Sequence, residues 1–587
     1  MRFGAATALT LLILIGALRP GYCQTPETVR GFLCPLTATE IVPRSAPADV
    51  KLLRQTTSTR DTLDPVLMAK WALNYLTGSV SEDQGFASSY GNWPLKMPPF
   101  AIGGDKIAMG DSEVRNALAF VLMRDMSGID FGARVQRGVR ERILAYQLPC
   151  GLFNPLSHGD TDVLWATAWM TRALLEEYAT TGSRDALLRA EKALHAVRRY
   201  AMEANDQGLM RLAPPEKLTL DGQEIRFAYR PQLDFCIVEP FVRCYEITGD
   251  QEMLSIARNL VDGRLQGYAT GHDTSHTHSY WHSLIGIAHL GAVTGEPKYL
   301  DWVETQLQRW TPMLTDYGWF EAIGSYNASE TCAVSDLMHV CTYLGRAGHS
   351  ARYDLVERTL RNYLPQEQFF IDDRFLQLWR QQTYADRDLQ MALVRRLEGG
   401  FLCRTTPSDR WALPGAPEGP VSLEGCCPPT GMTALYLAWK ETVRKMPEGV
   451  FVNMAFNRDA PEATLVSFLP DQGRLTVVPK QAGAFYVRIP GFAPHTQVVA
   501  WRNGRKCRSI AWRGDYIAFA AARKGEELTV TYPLVTGIQR VHRAGRDYTI
   551  HWKGNAVTAL DPMDGVWPLF KTIPYPTPPF PHPAAVQ

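Results

Sequence analysis

One punctuation recurs along the first three quarters of the chain. In the segments EEYATTGSRDALLRA, RCYEITGDQEMLSIA, AHLGAVTGEPKYLDW and TYLGRAGHSARYDL, an apolar-periodic helix runs into a glycine (Gly182, Gly249, Gly295, Gly348), and a second helix begins a few residues later. Glycine takes the left-handed conformation that closes a helix, so each segment reads as a helical hairpin. The hairpins recur at intervals of roughly 45 to 70 residues between Asp61 and Met446. A hairpin cannot bury its apolar face alone, and these intervals exceed those of short-period solenoids. A closed ring of helix pairs, an (α/α)6 toroid, satisfies both constraints and gathers inter-helix loops around a cavity at one end. An open helical solenoid is the structural alternative.

After KMPEGVFVN the periodicity changes to alternation, in ATLVSFLP, RLTVVPK, AFYVRIPGF, TQVVAWRNGRKCRSIAW, YIAFAAA and ELTVTYPL. Asn503-Gly504 falls between two such runs as a tight hairpin turn. Short strands at this spacing indicate a β-sandwich. At 587 residues the chain exceeds one compact core, and the pattern divides it into a mainly helical toroid over 24–446, a sandwich over 447–566 and a proline-rich tail over 567–587. Residues 1–23 read as a secretory signal: Arg2, a short apolar segment, and Gly21 and Cys23 before Gln24. Export to a secreted or periplasmic location is therefore expected, with no membrane span after signal removal. With 61 basic and 60 acidic residues and no basic run, charge gives no reason to expect a nucleic-acid partner. A neutral substrate is the simpler expectation, and a homodimer is compatible with the sequence.

The segment SLEGCCPPTGMTALYLAWK poses the chemical question. Adjacent α-carbons lie about 3.8 Å apart, closer than an unstrained disulfide wants, so Cys426 and Cys427 are poor partners for each other. Separate disulfides to distant cysteines and a thiolate metal site both remain open. Glu330 and Cys332 stand two apart, on one side of an extended segment, and Cys332 opens a helix. Cys426 and Cys427 also precede a helix, entered through Pro428 and Pro429. Two helix-entry loops of a toroid can converge on one cavity, where soft thiolates favour zinc.

ETCA at Glu330–Ala333, followed about ninety residues later by EGCCPP, resembles the β-L-arabinofuranosidases of glycoside hydrolase family 127 and their relatives. The order of signal, toroid, late cysteines and sandwich agrees, as does the R-I-P-G-F strand end at Arg488–Phe492. The resemblance implies a zinc ion bound by Glu330, Cys332, Cys426 and Cys427, with Cys426 doubling as the nucleophile of a retaining glycosidase. It places the acid/base at Glu321 in GWFEAIG, although this loop is shorter than the family's; Glu424, close to the cysteines, is the rival. His276 takes the place of a substrate-contacting histidine. Two further histidines expected of the family are replaced, by Trp169 and within PQLDFCIVE by Asp234 or Phe235, which puts the arabinofuranose subsite in question. The histidine-rich segment at 271–295 has irregular spacing for a second metal. Asn327-Ala-Ser329 matches a glycosylation sequon. The preferred reading is an exported retaining glycoside hydrolase acting on a terminal sugar, with β-L-arabinofuranose as the candidate. A non-catalytic carbohydrate-binding or structural protein with a retained zinc site is the alternative, and an (α/α)6 lyase or uronyl hydrolase with disulfides is a third.

Overall fold

Helix punctuation becomes backbone geometry in the computed structural model, which describes residues 63–101, 110–154, 163–220, 222–227, 235–268, 276–322, 328–411 and 421–570. The signal segment, Asp234, Asn327 and the tail beyond 570 lie outside these residues. Gly182, Gly249, Gly295 and Gly348 all have positive φ, from 70° to 106°, and the helices that follow the first two are capped by the side chains of Ser183 and Asp250.

The helices are α1 (Pro65–Gly78), α2 (Ser112–Ser127), α3 (Ala133–Leu144), α4 (Val163–Thr181), α5 (Arg184–Tyr200), α6 (Val238–Thr248), α7 (Gln251–Leu265), α8 (Thr277–Thr294), α9 (Pro297–Trp310), α10 (Thr331–Arg346), α11 (Arg352–Arg358), α12 (Asp373–Arg380), α13 (Arg387–Arg395) and α14 (Cys427–Glu441). Six of them form a closed inner ring: α2 packs on α4, α4 on α6, α6 on α8, α8 on α10, α10 on α14, and α14 returns to α2. Outer helices α3, α5, α7, α9 and α11 each pair with the inner helix before them, and α1 lies against α2 and α14. This is the toroid expected from the hairpin repeat. The two rings differ as their positions require. Outer α5 buries only one stripe, Ala186, Leu187, Ala190, Ala193, Leu194 and Val197, whereas inner α8 is buried on every side from Thr277 to Gly291.

Short strands tie the inner helix entries together. They are β1 (Gly91–Asn92), β2 (Ser329–Glu330), β3 (Cys403–Thr405) and β4 (Leu423–Glu424), with β2 paired to β3 and β1 to β4. The sheet-rich region follows as β5 (Val443–Met446), β6 (Gly449–Val452), β7 (Arg458–Asp459), β8 (Ala463–Ser467), β9 (Arg474–Pro479), β10 (Gly483–Arg488), β11 (Val499–Arg502), β12 (Arg505–Lys506), β13 (Trp512–Arg513), β14 (Tyr516–Ala522), β15 (Leu528–Thr531), β16 (Thr536–Arg543), β17 (Arg546–Lys553) and β18 (Ala556–Asp561). A five-stranded sheet, β5-β6-β10-β14-β13, faces a six-stranded sheet, β7-β8-β9-β15-β11-β12, across Val452, Leu465, Val477, Phe485, Val487, Phe519 and Val530. The remaining sheet, β16-β17-β18, packs differently. Its Tyr548, Ile550 and Leu560 join the helical core rather than the sandwich core. Trp567, at the start of the proline-rich tail, is buried there too and donates from Nε1 to Asp372 at 2.9 Å.

The R-I-P-G-F strand end joins the two large units. Arg488 is buried and reaches across to α11, with Nη1 2.8 Å from Asp354 Oδ1 and Nη2 3.5 Å from Glu357 Oε2, while Nε donates to the Asn453 carbonyl at 2.6 Å. The Gly491 N–H donates to the second Asp354 oxygen at 3.0 Å. Removing one partner of such a buried pair strands the other charge. Arg488→Ala is expected to cost about 3–5 kcal/mol of stability, read as a lower urea midpoint, whereas Arg505→Ala on the exposed β12 should leave the midpoint unchanged.

Candidate functional site

α10 and α14 are neighbours in the inner ring and begin at the same end of it. Cys332 is the second residue of α10, and Cys427 is the first of α14, with Pro428 and Pro429 in the opening turn. Gly425 allows this entry to lie flat on the ring, because a Cβ there would come within 2.6 Å of Ser112 and 2.9 Å of the Tyr90 ring. Cys427 Sγ lies 3.6 Å from Cys332 Sγ and 3.9 Å from Cys426 Sγ, and the three sulfurs fall within 4.8 Å of one another. A tetrahedral ion with metal–sulfur bonds of about 2.3 Å has a sulfur–sulfur edge of about 3.8 Å. The thiol spacing fits that face. All nine cysteines among the described residues are free thiols, so none of them carries a disulfide.

Charge within the cluster is shared unequally. Burial raises every thiol, but at Cys427 the interactions with the neighbouring Cys332, Cys403 and Cys426 overcome it and hold this sulfur well below the ordinary thiol range. Its place at a helix N-terminus acts in the same direction. Cys332, Cys403 and Cys426 are driven up in turn. Cys332 and Cys427 are buried, while Cys426 is half-buried.

Cys403 is the cluster member that sequence spacing did not single out. It reaches the site through strand register: Cys403 in β3 is the direct partner of Glu330 in β2, and its N–H donates to the Ser422 carbonyl at 2.8 Å. The ladder is irregular between Cys403 and Thr405, and Arg404 sits in that bulge with φ 61°. The left-handed backbone is costly for a side-chain-bearing residue. It sends the guanidinium between two carboxylates, 3.3 Å from Glu424 and 4.0 Å from Glu330. Glu424 Oε2 accepts from Cys403 Sγ at 3.6 Å, and Glu330 Oε2 accepts from Cys332 Sγ at 3.8 Å. Burial lifts the Glu424 carboxyl to about 7 against the pull of Arg404.

The other expected site residues separate into two groups. His276, N-terminal cap of α8, stands beside the thiols, with Nε2 3.3 Å from Glu330 Oε2 and Nδ1 2.8 Å from Ser279 Oγ. Burial would lower this imidazole, and the Glu330 contact outweighs it and raises it. Glu321 precedes Ala322, whose N–H donates to the Ala328 carbonyl at 3.0 Å, immediately before β2. The Glu321 carboxylate is half-buried and its charge acts on Arg543 of β16. Trp169 is elsewhere: it is 2% exposed, stacks on His282 at 4.8 Å and lies under the Arg115 guanidinium at 4.9 Å. That packing leaves no face for a sugar. Phe235 is likewise buried, with Arg264 over its ring at 4.3 Å.

Beneath the thiols runs a buried polar network that the sequence did not suggest. Arg115 donates to Thr430 Oγ1 at 3.0 Å and to His278 Nε2 at 3.1 Å, and pairs with Asp111 at 2.6 Å. It is the cation that opposes the charge of Cys426 and Cys332. Asp336 holds His278 Nδ1 at 2.5 Å and His282 Nδ1 at 3.0 Å. These three could geometrically hold an ion. Arginine can only donate, however, so His278 Nε2 is already occupied as an acceptor and its Nδ1–H is committed to Asp336. The trio reads as a closed network that fixes α8 against α10.

No protein-family model and no curated protein matches this sequence. Solved structures do share its fold. A family 127 β-L-arabinofuranosidase from Geobacillus stearothermophilus T6 superposes with TM-score 0.54 at 15% identity, over 84% of this chain and 80% of that one. A second family 127 β-arabinofuranosidase gives the same score and identity over 89% and 84%. Both likenesses span toroid and sheet-rich region together.

The network makes a pH-dependent prediction. Burial alone would raise the Asp336 carboxyl, but His278 and His282 lower it from 3.8 to about 2. A carboxyl lowered on folding contributes stability above its unfolded value and loses that contribution as pH falls toward the folded one. Asp336→Asn should therefore destabilise the protein at pH 7 by about 3 kcal/mol or more, the range for breaking a buried charged set. In urea titrations the gap from wild type should narrow progressively below pH 4.

Proposed function

We propose that this chain is an exported, retaining glycoside hydrolase that removes a terminal sugar using Cys426 as nucleophile. The observation that carries the reading is the unequal exposure of the clustered thiols: Cys332 and Cys427 are buried and Cys426 alone is half-open, at the loop-bearing end of a toroid. The fold shared with family 127 enzymes and the Glu-x-Cys…Cys-Cys pattern support it. Zinc bound by Glu330, Cys332, Cys426 and Cys427 would supply a deprotonated, directed sulfur at neutral pH.

The chain's own groups then divide the work. Cys426 Sγ attacks the anomeric carbon as the bond from that carbon to the leaving oxygen breaks, and a carboxyl proton passes to the oxygen. In the second step the same carboxylate takes a proton from water, the water oxygen attacks the anomeric carbon, and the carbon–sulfur bond returns its electron pair to Cys426. Two inversions give net retention. We assign the proton transfers to Glu321. Glu424 is tied to Arg404 and Cys403, whereas Glu321 has no side-chain hydrogen bond among the described residues and stands beside β2. His276 orients Glu330 and faces the same space. β-L-Arabinofuranose remains the candidate sugar. The loss of two family histidines to Trp169 and the Asp234–Phe235 segment argues for a substrate preference that differs from the family's typical one. The competing reading is a carbohydrate-binding protein that keeps the metal for stability and hydrolyses nothing.

Metal analysis of purified protein should give about one equivalent of zinc, as one four-ligand site requires. Cys332→Ser and Cys427→Ser should lose it, and Cys403→Ser, outside the three-sulfur face, should keep it. A disulfide at Cys426 or Cys427 in native protein would rule the site out.

Glu321→Ala should retain far more activity on an aryl glycoside than on a natural one, because an activated leaving group needs no proton. Cys426→Ser should lose both, and a mechanism-based inhibitor should label Cys426 alone. If Glu424→Gln shows the leaving-group pattern in place of Glu321→Ala, the acid/base assignment moves to Glu424. Inversion of configuration, or labelling of a carboxylate, would reject the sulfur nucleophile.

A further inference from the structure

One well-defined cavity is remote from the thiols. It lies at the junction of toroid and sandwich, at the C-terminal end of α10, and has a volume of about 290 Å³. The distance along α10 from Cys332 to Arg346 is about 21 Å at 1.5 Å per residue. One wall is Arg346 and the turn that follows it; the other is Arg444 of β5, Phe451 of β6, Arg513 of β13 and Tyr516 of β14. Three guanidinium groups from three separate elements therefore face one space.

Each guanidinium is paired with one carboxylate. Arg346 pairs with Glu246 through Nη2, Arg444 with Glu441 through Nη1 at 2.5 Å, and Arg513 with Glu448 through Nη2 at 3.3 Å. A guanidinium carries five N–H donors; Arg444 also donates from Nε to Met446 Sδ at 3.2 Å and Arg513 also bonds Tyr486, which still leaves donors to spare in all three. Arg346 and Arg444 repel each other: burial and then Arg444 lower Arg346 to about 10. An added negative charge would relieve that repulsion. The half-exposed Arg513 lies beside a stacked aromatic pair, 5.4 Å from the Phe451 ring and 5.1 Å from Tyr486, whose rings are 4.5 Å apart. A guanidinium beside aromatic rings offers a planar fork of donors that matches a carboxylate.

The rest of the lining discriminates among anions. Glu448, on the cavity wall, accepts hydrogen bonds and repels a bare inorganic anion, but suits a ligand that also brings hydroxyl donors. The half-buried Phe451 offers an apolar surface suited to the carbon face of a sugar ring. We infer that this junction cavity is a second carbohydrate site that binds a sugar acid, a uronate unit whose carboxylate is taken by the arginines and whose hydroxyls are taken by Glu448. It stands independently of the chemistry proposed at the thiols.

Titration calorimetry on the full chain tests it with D-glucuronate, D-glucose and sulfate as probes. Glucuronate should bind with a millimolar constant, and both glucose and sulfate should bind more weakly. Arg513→Gln should weaken glucuronate binding while leaving the thermal midpoint and any aryl-glycoside hydrolysis unchanged, and Phe451→Ala, which also removes the ring stacked on Tyr486, should weaken glucuronate binding while leaving any aryl-glycoside hydrolysis unchanged. The loss for Arg513→Gln should be roughly tenfold to a hundredfold, the range for one hydrogen bond to a charged group. Absence of glucuronate binding up to about 50 mM, far weaker than a millimolar site, would overturn the inference. So would equal affinity for glucose, equal affinity for sulfate, or glucuronate binding indifferent to Arg513→Gln.

Discussion

The register of two residues in a two-stranded ladder controls the whole site. When Glu330 of β2 pairs with Cys403 of β3, the entry to α10 is fixed, and with it Cys332. The same pairing sets Arg404 in its bulge between Glu330 and Glu424. The Cys427 sulfur then sits among the three other thiols. A slip of one residue would turn Cys403 and Glu330 to opposite faces, and the cluster would lose both its fourth thiol and its carboxylate. Bringing three or four thiols into a dry site is unfavourable unless charge is shared or a cation is present. The enclosing toroid makes such a site tolerable, because twelve paired helices supply apolar burial that is independent of the cluster.

What the sequence disclosed follows the range of the forces involved. Helix stops at Gly182, Gly249, Gly295 and Gly348 are local events, and periodicity between them is local too, so the ring of helix pairs could be read before any coordinates. The proximity of Cys332 to Cys426 and Cys427 was legible because all three stand at helix entries, and entries of inner helices share one end of a toroid. Cys403 was not. It sits in a three-residue strand whose partner lies 73 positions away in the register Cys403↔Glu330, and nothing near it in the chain marks that pairing. The same limit hid Arg404, whose left-handed backbone carries no glycine or asparagine signal.

Trp169 illustrates a different limit. Its position on inner helix α4 could be counted from Gly182, but its environment could not. The ring is enclosed by His282, Trp165 and Arg115, all from elements distant in sequence or on adjoining turns. Aromatic residues on an inner helix can face the lumen or fill the space between helices, and only the side chains opposite decide. Here two buried guanidinium groups needed covering, Arg115 and Arg172, and Trp169 lies against both. The β16–β18 sheet is similar: it falls within the 447–566 span assigned to the sandwich, but Tyr548, Ile550 and Leu560 pack into the helical core.

The buried charges of the inner ring also explain why the sandwich is where it is. α10 and α14 each carry a cysteine of the cluster at their N-termini, and their C-termini, at Arg346 and Glu441, abut the sheet-rich region. Helix entries that must hold thiolates in one geometry need helices that do not slide along their axes. The sandwich provides that restraint at the opposite end. Arg488 clamps α11, the outer partner of α10, through Asp354 and Glu357, and the Asn453 side chain donates to the Glu441 carbonyl at the end of α14 at 2.7 Å. The same residues meet one another: Arg488 Nε donates to the Asn453 carbonyl. Both helices that position the thiols are therefore referenced to one buried point about 20 Å away, which gives the sheet-rich region a mechanical reason to be covalently attached to a toroid that already closes on itself.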